Sequence, residues 1–210
     1  MSDFVRTVDT IGDEALTNSI IDRSIAEIAD DISTSIGDYA FLSCSKLTTA
    51  SFKKVTSVGK GAFEYCFKLI TADFPVATNI KPDAFSKCEE LTTVNFPAVT
   101  SIGSNAFAYC YKLTAVDFPS VTKIATYAFT SCSALTALIL RSEAITDLWD
   151  AKAFGSTPIA SGTGYIYVPS SLVDSYKADA VWSTYAAQFR ALEDYTVDGT
   201  TTGALDESKV

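Results

Sequence analysis

The chain contains no histidine, so the side chain that most often acts as a general base or metal ligand near neutral pH is missing altogether. No run of about 18 apolar residues occurs, which excludes a membrane-spanning helix from the sequence and with it insertion into a bilayer. The opening MSDFVRTVDT has no basic stretch leading into an apolar one, so no secretory leader is expected in this chain. Positive charge is also scarce, with 16 Lys and Arg against 25 Asp and Glu and a net charge of −9. Eight of those acids and only two of the bases lie within residues 1–35, which leaves a body close to neutrality behind an acidic start. Neither nucleic acid nor an anionic lipid surface is an expected partner for such a distribution.

Catalytic signatures are missing too. No serine or cysteine has a histidine to activate it, and the phosphate loop G-x-x-x-x-G-K-[ST], the dinucleotide fingerprint G-x-G-x-x-G and calcium-loop spacings do not occur. Gly162 and Gly164 in the segment SGTG read as a turn, and Glu89-Glu90 is a solvated pair whose side chains point to different sides. The expectation is a protein that is not an enzyme and carries no cofactor.

What the chain has instead is repetition. From Ile36 it can be written as IGDYAFLSCSKLTTASFKKVTS, VGKGAFEYCFKLITADFPVATN, IKPDAFSKCEELTTVNFPAVTS, IGSNAFAYCYKLTAVDFPSVTK and IATYAFTSCSALTALILRSEAIT, four units of 22 residues and a fifth that gains one. The columns hardly vary: Ile36, Val58, Ile80, Ile102 and Ile124 open the units, Ala-Phe follows at 40–41, 62–63, 84–85, 106–107 and 128–129, and leucine recurs from Leu47 to Leu135. Ala40, Phe41, Cys44 and Leu47 stand three or four apart, which gathers them on one face of a short helix or 3₁₀ turn. Leu47, Ala50 and Phe52 then alternate as in a strand, and Val55 and Val58 bring the chain back round. Each unit is thus one coil that buries its apolar face only by stacking on its neighbours.

This pattern resembles the leucine-rich-repeat superfamily, and within it the BspA-like type with the signature I-G-x-x-A-F-x-x-C-x-x-L-x-x-V-x-F-P, over roughly residues 25 to 178. The resemblance implies an α/β repeat fold, a right-handed solenoid of short strands and short helices or 3₁₀ turns with a 22-residue period. It also implies a bacterial surface protein that recognises host proteins or other cells, although similar arrays occur in phage-associated genes; a cell-surface or extracellular site is therefore expected despite the lack of a leader. One departure from the generic pattern is the missing Asn ladder after the strand, where Pro75, Pro97 and Pro119 stand instead. Lacking an amide hydrogen, they suggest a corner held by packing rather than by a hydrogen-bonded ladder.

An open stack needs capped ends. Leu16, Ile20, Ile21, Ile25 and Ile28 recur at helical spacing, so residues 1–35 are read as a helical cap, with its helix at 13–23, running into a degenerate first coil. Residues 36–146 hold the five repeats. Residues 147–195 hold a terminal Ala153-Phe154 coil, a strand at Tyr165–Val168, a helix with Leu172, Val173 and Tyr176, and a closing amphipathic stretch with Trp182, Tyr185, Phe189 and Leu192. Residues 196–210 are expected to be a disordered tail.

Cys44, Cys66, Cys88, Cys110 and Cys132 share the repeat period, are odd in number and lack the close pairing of metal or disulfide frameworks, so they read as a ladder of buried thiols. Two faces remain as candidate binding surfaces. On the strand side the outward triplets run from Thr48/Thr49/Ser51 through Ile70/Thr71/Asp73, Thr92/Thr93/Asn95 and Thr114/Ala115/Asp117 to Thr136/Ala137/Ile139. Thr49, Thr71, Asp73, Thr93, Asn95 and Asp117 would offer a shallow polar strip to a glycan or an extended peptide, though threonine there also serves sheet formation alone. At the helical edge Tyr65, Phe67, Tyr109 and Tyr111 flank the cysteine column and are the kind of rigid aromatics that anchor interfaces. The sequence thus points to a binding or adhesion module for a protein or glycan, with a structural spacer or cap in a larger assembly as the alternative. It leaves the oligomeric state open.

Overall fold

The computed structural model describes residues 10–11, 25–197 and 200–201. The expected helix at 13–23 and most of the segment 196–210 lie outside the described residues. The chain alternates two-residue and longer strands. In the first half these are β1 (Thr10–Ile11), β2 (Glu27–Asp30), β3 (Ser35–Ile36), β4 (Thr49–Phe52), β5 (Ser57–Val58), β6 (Thr71–Asp73), β7 (Asn79–Ile80), β8 (Thr93–Asn95) and β9 (Ser101–Ile102). There follow β10 (Ala115–Phe118), β11 (Lys123–Ile124), β12 (Ala137–Leu140), β13 (Asp147–Leu148), β14 (Tyr165–Val168), β15 (Phe189–Ala191), β16 (Thr196–Val197) and β17 (Thr200–Thr201).

The short strands stack in parallel as one seven-stranded narrow sheet in the order β1-β3-β5-β7-β9-β11-β13. The longer strands form the broad face, as β2-β4-β6-β8 followed by β10-β12-β14-β15. Register advances by one repeat at each step, with Thr49 opposite Thr71, Thr71 opposite Thr93 and Ile80 opposite Ile102. Among the described residues only β16 and β17 pair antiparallel. No helix among the described residues is long and apolar enough to cross a membrane.

A third wall closes each coil through the Ala-Phe-x-x-Cys segment, which forms successive four-residue turns rather than a continuous helix. Leu42 N donates to Tyr39 O, Cys44 N to Phe41 O and Leu47 N to Cys44 O. The alternate amides point to the next coil, from Tyr39 N to Lys60 O, Phe41 N to Ala62 O and Ser43 N to Glu64 O. Two columns make this alternation possible by adopting left-handed backbone: Tyr39, Gly61, Asp83, Asn105 and Tyr127 in one, Ser43, Tyr65, Lys87, Tyr109 and Ser131 in the other, all with φ between 56° and 62°.

The columns named by the sequence are the core. Phe41, Phe63, Phe85, Phe107, Phe129 and Phe154 stack nearly parallel at centroid spacings of 4.9, 5.1, 5.4, 5.4 and 5.6 Å. All six are buried, and removing one ring from such a column is expected to cost about 3–5 kcal/mol. The cysteines run beside them as donors: the thiols of Cys66, Cys88, Cys110 and Cys132 reach the carbonyls of Phe41, Phe63, Phe85 and Phe107 at 3.1, 3.3, 3.4 and 3.0 Å.

Three expectations need correction. The corner after the prolines does carry a hydrogen-bonded ladder, built from threonine. Thr56, Thr78, Thr100 and Thr122 each donate both backbone N–H and hydroxyl to the carbonyl of the preceding member, Thr34 serving the first, with Oγ1 distances of 3.2, 3.2, 3.0 and 3.1 Å. The fifth coil is one residue longer than expected, because Ile124 pairs with Leu148 where a 23-residue unit would have offered Asp147. Finally, Ala137 and Ile139 do not face solvent; they are 8% and 2% exposed, with Ile139 in register between Asp117 and Tyr167.

Beyond β13 the stack closes on aromatic side chains. Trp182 and Tyr185 pack on Phe154 at 6.0 and 5.6 Å, and Tyr176 and Phe189 pack on Trp182. The buried Thr146 binds this group to the last repeat, donating its amide to the Tyr176 hydroxyl at 2.9 Å and accepting the Trp182 indole N–H on its carbonyl at 2.6 Å.

The broad face is interrupted once. No ladder joins β8 to β10 among the described residues. Rings stack at 5.3 Å from Phe52 to Phe74 and at 5.2 Å from Phe74 to Phe96, and no such contact continues to Phe118. On the opposite wall β9 and β11 stay paired, so the coils part only on this side. The inward side chains change at this step. Ala50 and Ala72 accompany Phe52 and Phe74 in the earlier coils, whereas here Val94 with Phe96 meets Val116 with Phe118; the following step sets Val116 and Phe118 against Leu138 and Leu140 and keeps its ladder. Val94 is only partly buried where Ala50 and Ala72 are fully so.

Candidate recognition surfaces

The strand strip stands on the outward positions of β4, β6, β8 and β10. Thr49, Thr71 and Asp73 are half-buried there, and Thr93, Asn95 and Asp117 are exposed. The polar groups bind one another. Asp73 accepts from Asn95 Nδ2 at 2.7 Å, from Ser51 Oγ at 3.1 Å and from Lys53 Nζ. Partial burial would raise the Asp73 carboxyl, but the hydrogen bonds from Lys53 and Asn95, the Lys53 charge and the Ser51 bond outweigh it and hold the group below the ordinary aspartate value. Asp117 is gripped by both ends of the Arg141 guanidinium at 2.8–3.0 Å. Asn95 and Asp117 therefore face each other across the break in the ladder, each tied to its own side.

The aromatic edge belongs to the turn wall. Tyr65 and Tyr109 occupy left-handed positions with φ 61° and 62°. Between them Lys87 lies over both rings, 4.4 Å from the Tyr65 centroid and 5.8 Å from that of Tyr109, and its Nζ bonds the Tyr65 hydroxyl at 3.1 Å. That hydrogen bond holds the Lys87 ammonium above its ordinary pKa. Phe67 and Tyr111 meet Tyr65 and Tyr109 edge to face at 5.8 and 6.3 Å. Phe67, Tyr109 and Tyr111 are 38%, 38% and 43% exposed, so the four residues with Lys87 make one continuous amphipathic ridge.

A third surface was not read from the sequence. The residue after each narrow strand is Gly37, Gly59, Lys81, Gly103, Ala125 and then Trp149, whose side chain is 61% exposed, the highest among the exposed large apolar residues described. Gly103 and Ala125 floor a cleft of about 220 Å³ walled by Lys81-Pro82 on one side and Trp149 on the other. The signal was in the sequence, but the longer fifth coil takes Trp149 out of the 22-residue register and hides that it belongs to the same column.

Stacked parallel coils, each with one strand on a broad face, one on a narrow face and a turn wall, define a leucine-rich-repeat solenoid. The BspA type leucine rich repeat region matches residues 3–88 and 72–172 in six copies, and the chain belongs to that family. Among solved structures, a leucine-rich repeat protein from Bacteroides ovatus is similar at 23% identity with a TM-score of 0.64, over 87% of this chain and 45% of that one. A leucine rich cell surface protein from Faecalibacterium prausnitzii shares 29% identity over 65% of this chain and 44% of that one, with a TM-score of 0.47. A leucine rich repeat protein of T. pallidum shares 22% identity over 60% and 74%, with a TM-score of 0.46. The chain thus spans less than half the length of the first two. No curated protein matches it.

Proposed function

We propose that the chain is a non-catalytic recognition module that docks on a protein partner through the aromatic edge, as part of an adhesion protein at a cell surface. The observation that carries this reading is the placement of Tyr65 and Tyr109. Left-handed backbone at a residue other than glycine costs roughly 1–2 kcal/mol, and Asn105 tolerates it in the neighbouring column at φ 56°. Bulky tyrosines with accessible rings are a poor choice for such positions if folding is the only demand. They suit an interface, where rigid aromatic side chains and an intervening cation concentrate binding energy. By contrast, Asp73, Asn95 and Asp117 already have partners within the fold.

A second reading keeps the strand strip as the site for a glycan or extended peptide, favoured by the broken ladder between β8 and β10 that Asn95 and Asp117 flank. The two are separated by screening the biotinylated chain on protein and glycan arrays and measuring each hit with two variants. Tyr65→Asn/Tyr109→Asn should remove binding while the melting temperature stays within a few degrees, because relieved strain offsets the lost cation–π contact of about 0.5–1 kcal/mol. Loss of binding only in Asp73→Ala/Asn95→Ala/Asp117→Ala would move the site to the strip. A chain that binds nothing on either array would be read as a structural spacer.

A further inference from the structure

The cleft beside Trp149 is chemically unlike the rest of the surface. Gly103 on its floor packs closely on the preceding coil, where a Cβ would meet Pro82 N at 2.5 Å. Its far wall is an indole with most of its surface bare, in a fold that buries its other tryptophan, Trp182, to 1% exposure. Hydroxyl and amide groups of Asn79, Ser101 and Ser104 line the rim. Two cations stand at the same cleft: Lys123, which has no ion pair among the described residues, and Lys81, whose Nζ touches Asp38 at 3.4 Å. Asp147, in register beside Lys123 on β13, makes no ion pair with it. In a chain of net charge −9, the lining of this cleft holds two lysines and no acid, with the Asp38 partner of Lys81 outside the lining.

We propose that this cleft is a saccharide subsite that takes one carboxylate-bearing pyranose ring. A pyranose has an apolar C–H face and a rim of hydroxyls that both donate and accept, which matches an exposed aromatic plane beside polar side chains. Lys81 and Lys123 select the acidic sugar from the neutral one by charge. The cleft, about 220 Å³ and open to solvent on one side, is on the scale of one sugar ring rather than a long chain. The cleft lies on the narrow sheet, apart from the aromatic edge, so this inference stands or falls separately from the protein-docking reading.

The test uses the tryptophans themselves. Acrylamide quenches the exposed Trp149 and spares the buried Trp182, so a ligand on Trp149 protects a defined part of the emission. Oligosaccharides ending in glucuronate or galacturonate should shift that emission and protect it. Raising the salt concentration should weaken the effect, and Lys123→Gln should lower affinity about tenfold. The neutral counterparts ending in glucose or galactose should bind at least tenfold more weakly, and Trp149→Ala should abolish binding seen by calorimetry. Tyr65→Asn/Tyr109→Asn should leave all of this unchanged. The proposal is overturned if acidic sugars give no protection, if acetate or inorganic phosphate alone reproduces it, if neutral sugars bind equally well, or if Lys123→Gln has no effect.

Discussion

The Cys88 thiol donates to the Phe63 carbonyl at 3.3 Å, and the same bond joins three other cysteines to the phenylalanine one coil and three residues earlier. Sulfur thus supplies a side-chain ladder on the turn wall, as threonine does at the corner after the strand. Burial also pushes the thiols of Cys66, Cys88 and Cys110 well above their ordinary pKa. The thiolate is the reactive form, so the native chain should resist modification by maleimide or iodoacetamide, while all five cysteines react in denaturant. Mass spectrometry reads the count directly, and rapid native labelling of Cys88 would refute the ladder. Cys88→Ala should cost about 1–2 kcal/mol, the sum of a weak hydrogen bond and a small void.

Close approach of coils fixes the glycines after the narrow strands. A Cβ on Gly59 would lie 2.3 Å from the Gly37 carbonyl oxygen and 2.7 Å from Asp38 N, both backbone atoms. Neither neighbour can move without opening the stack. Gly59→Ala should therefore destabilise by about 2–3 kcal/mol, in the range of core overpacking. Ala125 is the internal control, because the same column there already carries a methyl group. A melting temperature unchanged in Gly59→Ala would mean that the coils are less tightly spaced than described.

How much of this was legible depended on whether a position repeats its residue or only its backbone. Phe41 to Phe129 and Cys44 to Cys132 announce themselves because identical side chains must fill identical slots. The left-handed columns do not, since Tyr39, Gly61, Asp83 and Asn105 have nothing in common except φ. The threonine column at 56, 78, 100 and 122 was visible as a repeat, but its hydroxyls look like ordinary surface until the coil spacing aligns them with carbonyls. Ile139 was assigned outward by strand alternation, correctly for its parity. It is buried where β14, drawn from outside the repeat, sets Tyr167 in register beside it, and Tyr167 in turn packs on Tyr195. For the candidate surfaces, the aromatic edge followed from exposed positions within the period, whereas the Trp149 cleft required knowing that the fifth coil is extended.

The Asp73 network has a pH signature. Its carboxyl is held below the ordinary aspartate value of about 3.9 by Lys53, Asn95 and Ser51 against partial burial. A lowered folded pKa means that the contribution is complete above the unfolded value and is lost as pH falls through the folded one. Thermal melts between pH 6 and 2.5 should show wild type losing stability below about pH 4, and Asp73→Asn losing less over the same interval. Because the pair with Lys53 is solvent-facing, the difference should also shrink at high salt. Identical acid profiles for the two proteins would remove Asp73 as a contributor.

The break between β8 and β10 makes the most local prediction. In the other repeats the strand-entry amides cross to the preceding coil, as Thr71 N does to Thr48 O and Thr93 N to Ile70 O. On the exit side Phe74 N reaches Asn95 O at 2.9 Å. Neither bond has its counterpart from Ala115 to Thr92 or from Phe96 to Asp117 among the described residues. Amides at this step should exchange with deuterium faster than those of β6, although both segments lie at the middle of the stack, where fraying from the ends is least. If crowding by Val94 and Val116 is the cause, Val94→Ala should let the coils close, slow that exchange and cost less stability than a valine truncation in a well-packed layer. Equal protection on both sides in the wild type would show the ladder to be continuous in solution. Faster exchange that Val94→Ala does not reduce would place the cause in something other than the volume of the two valines.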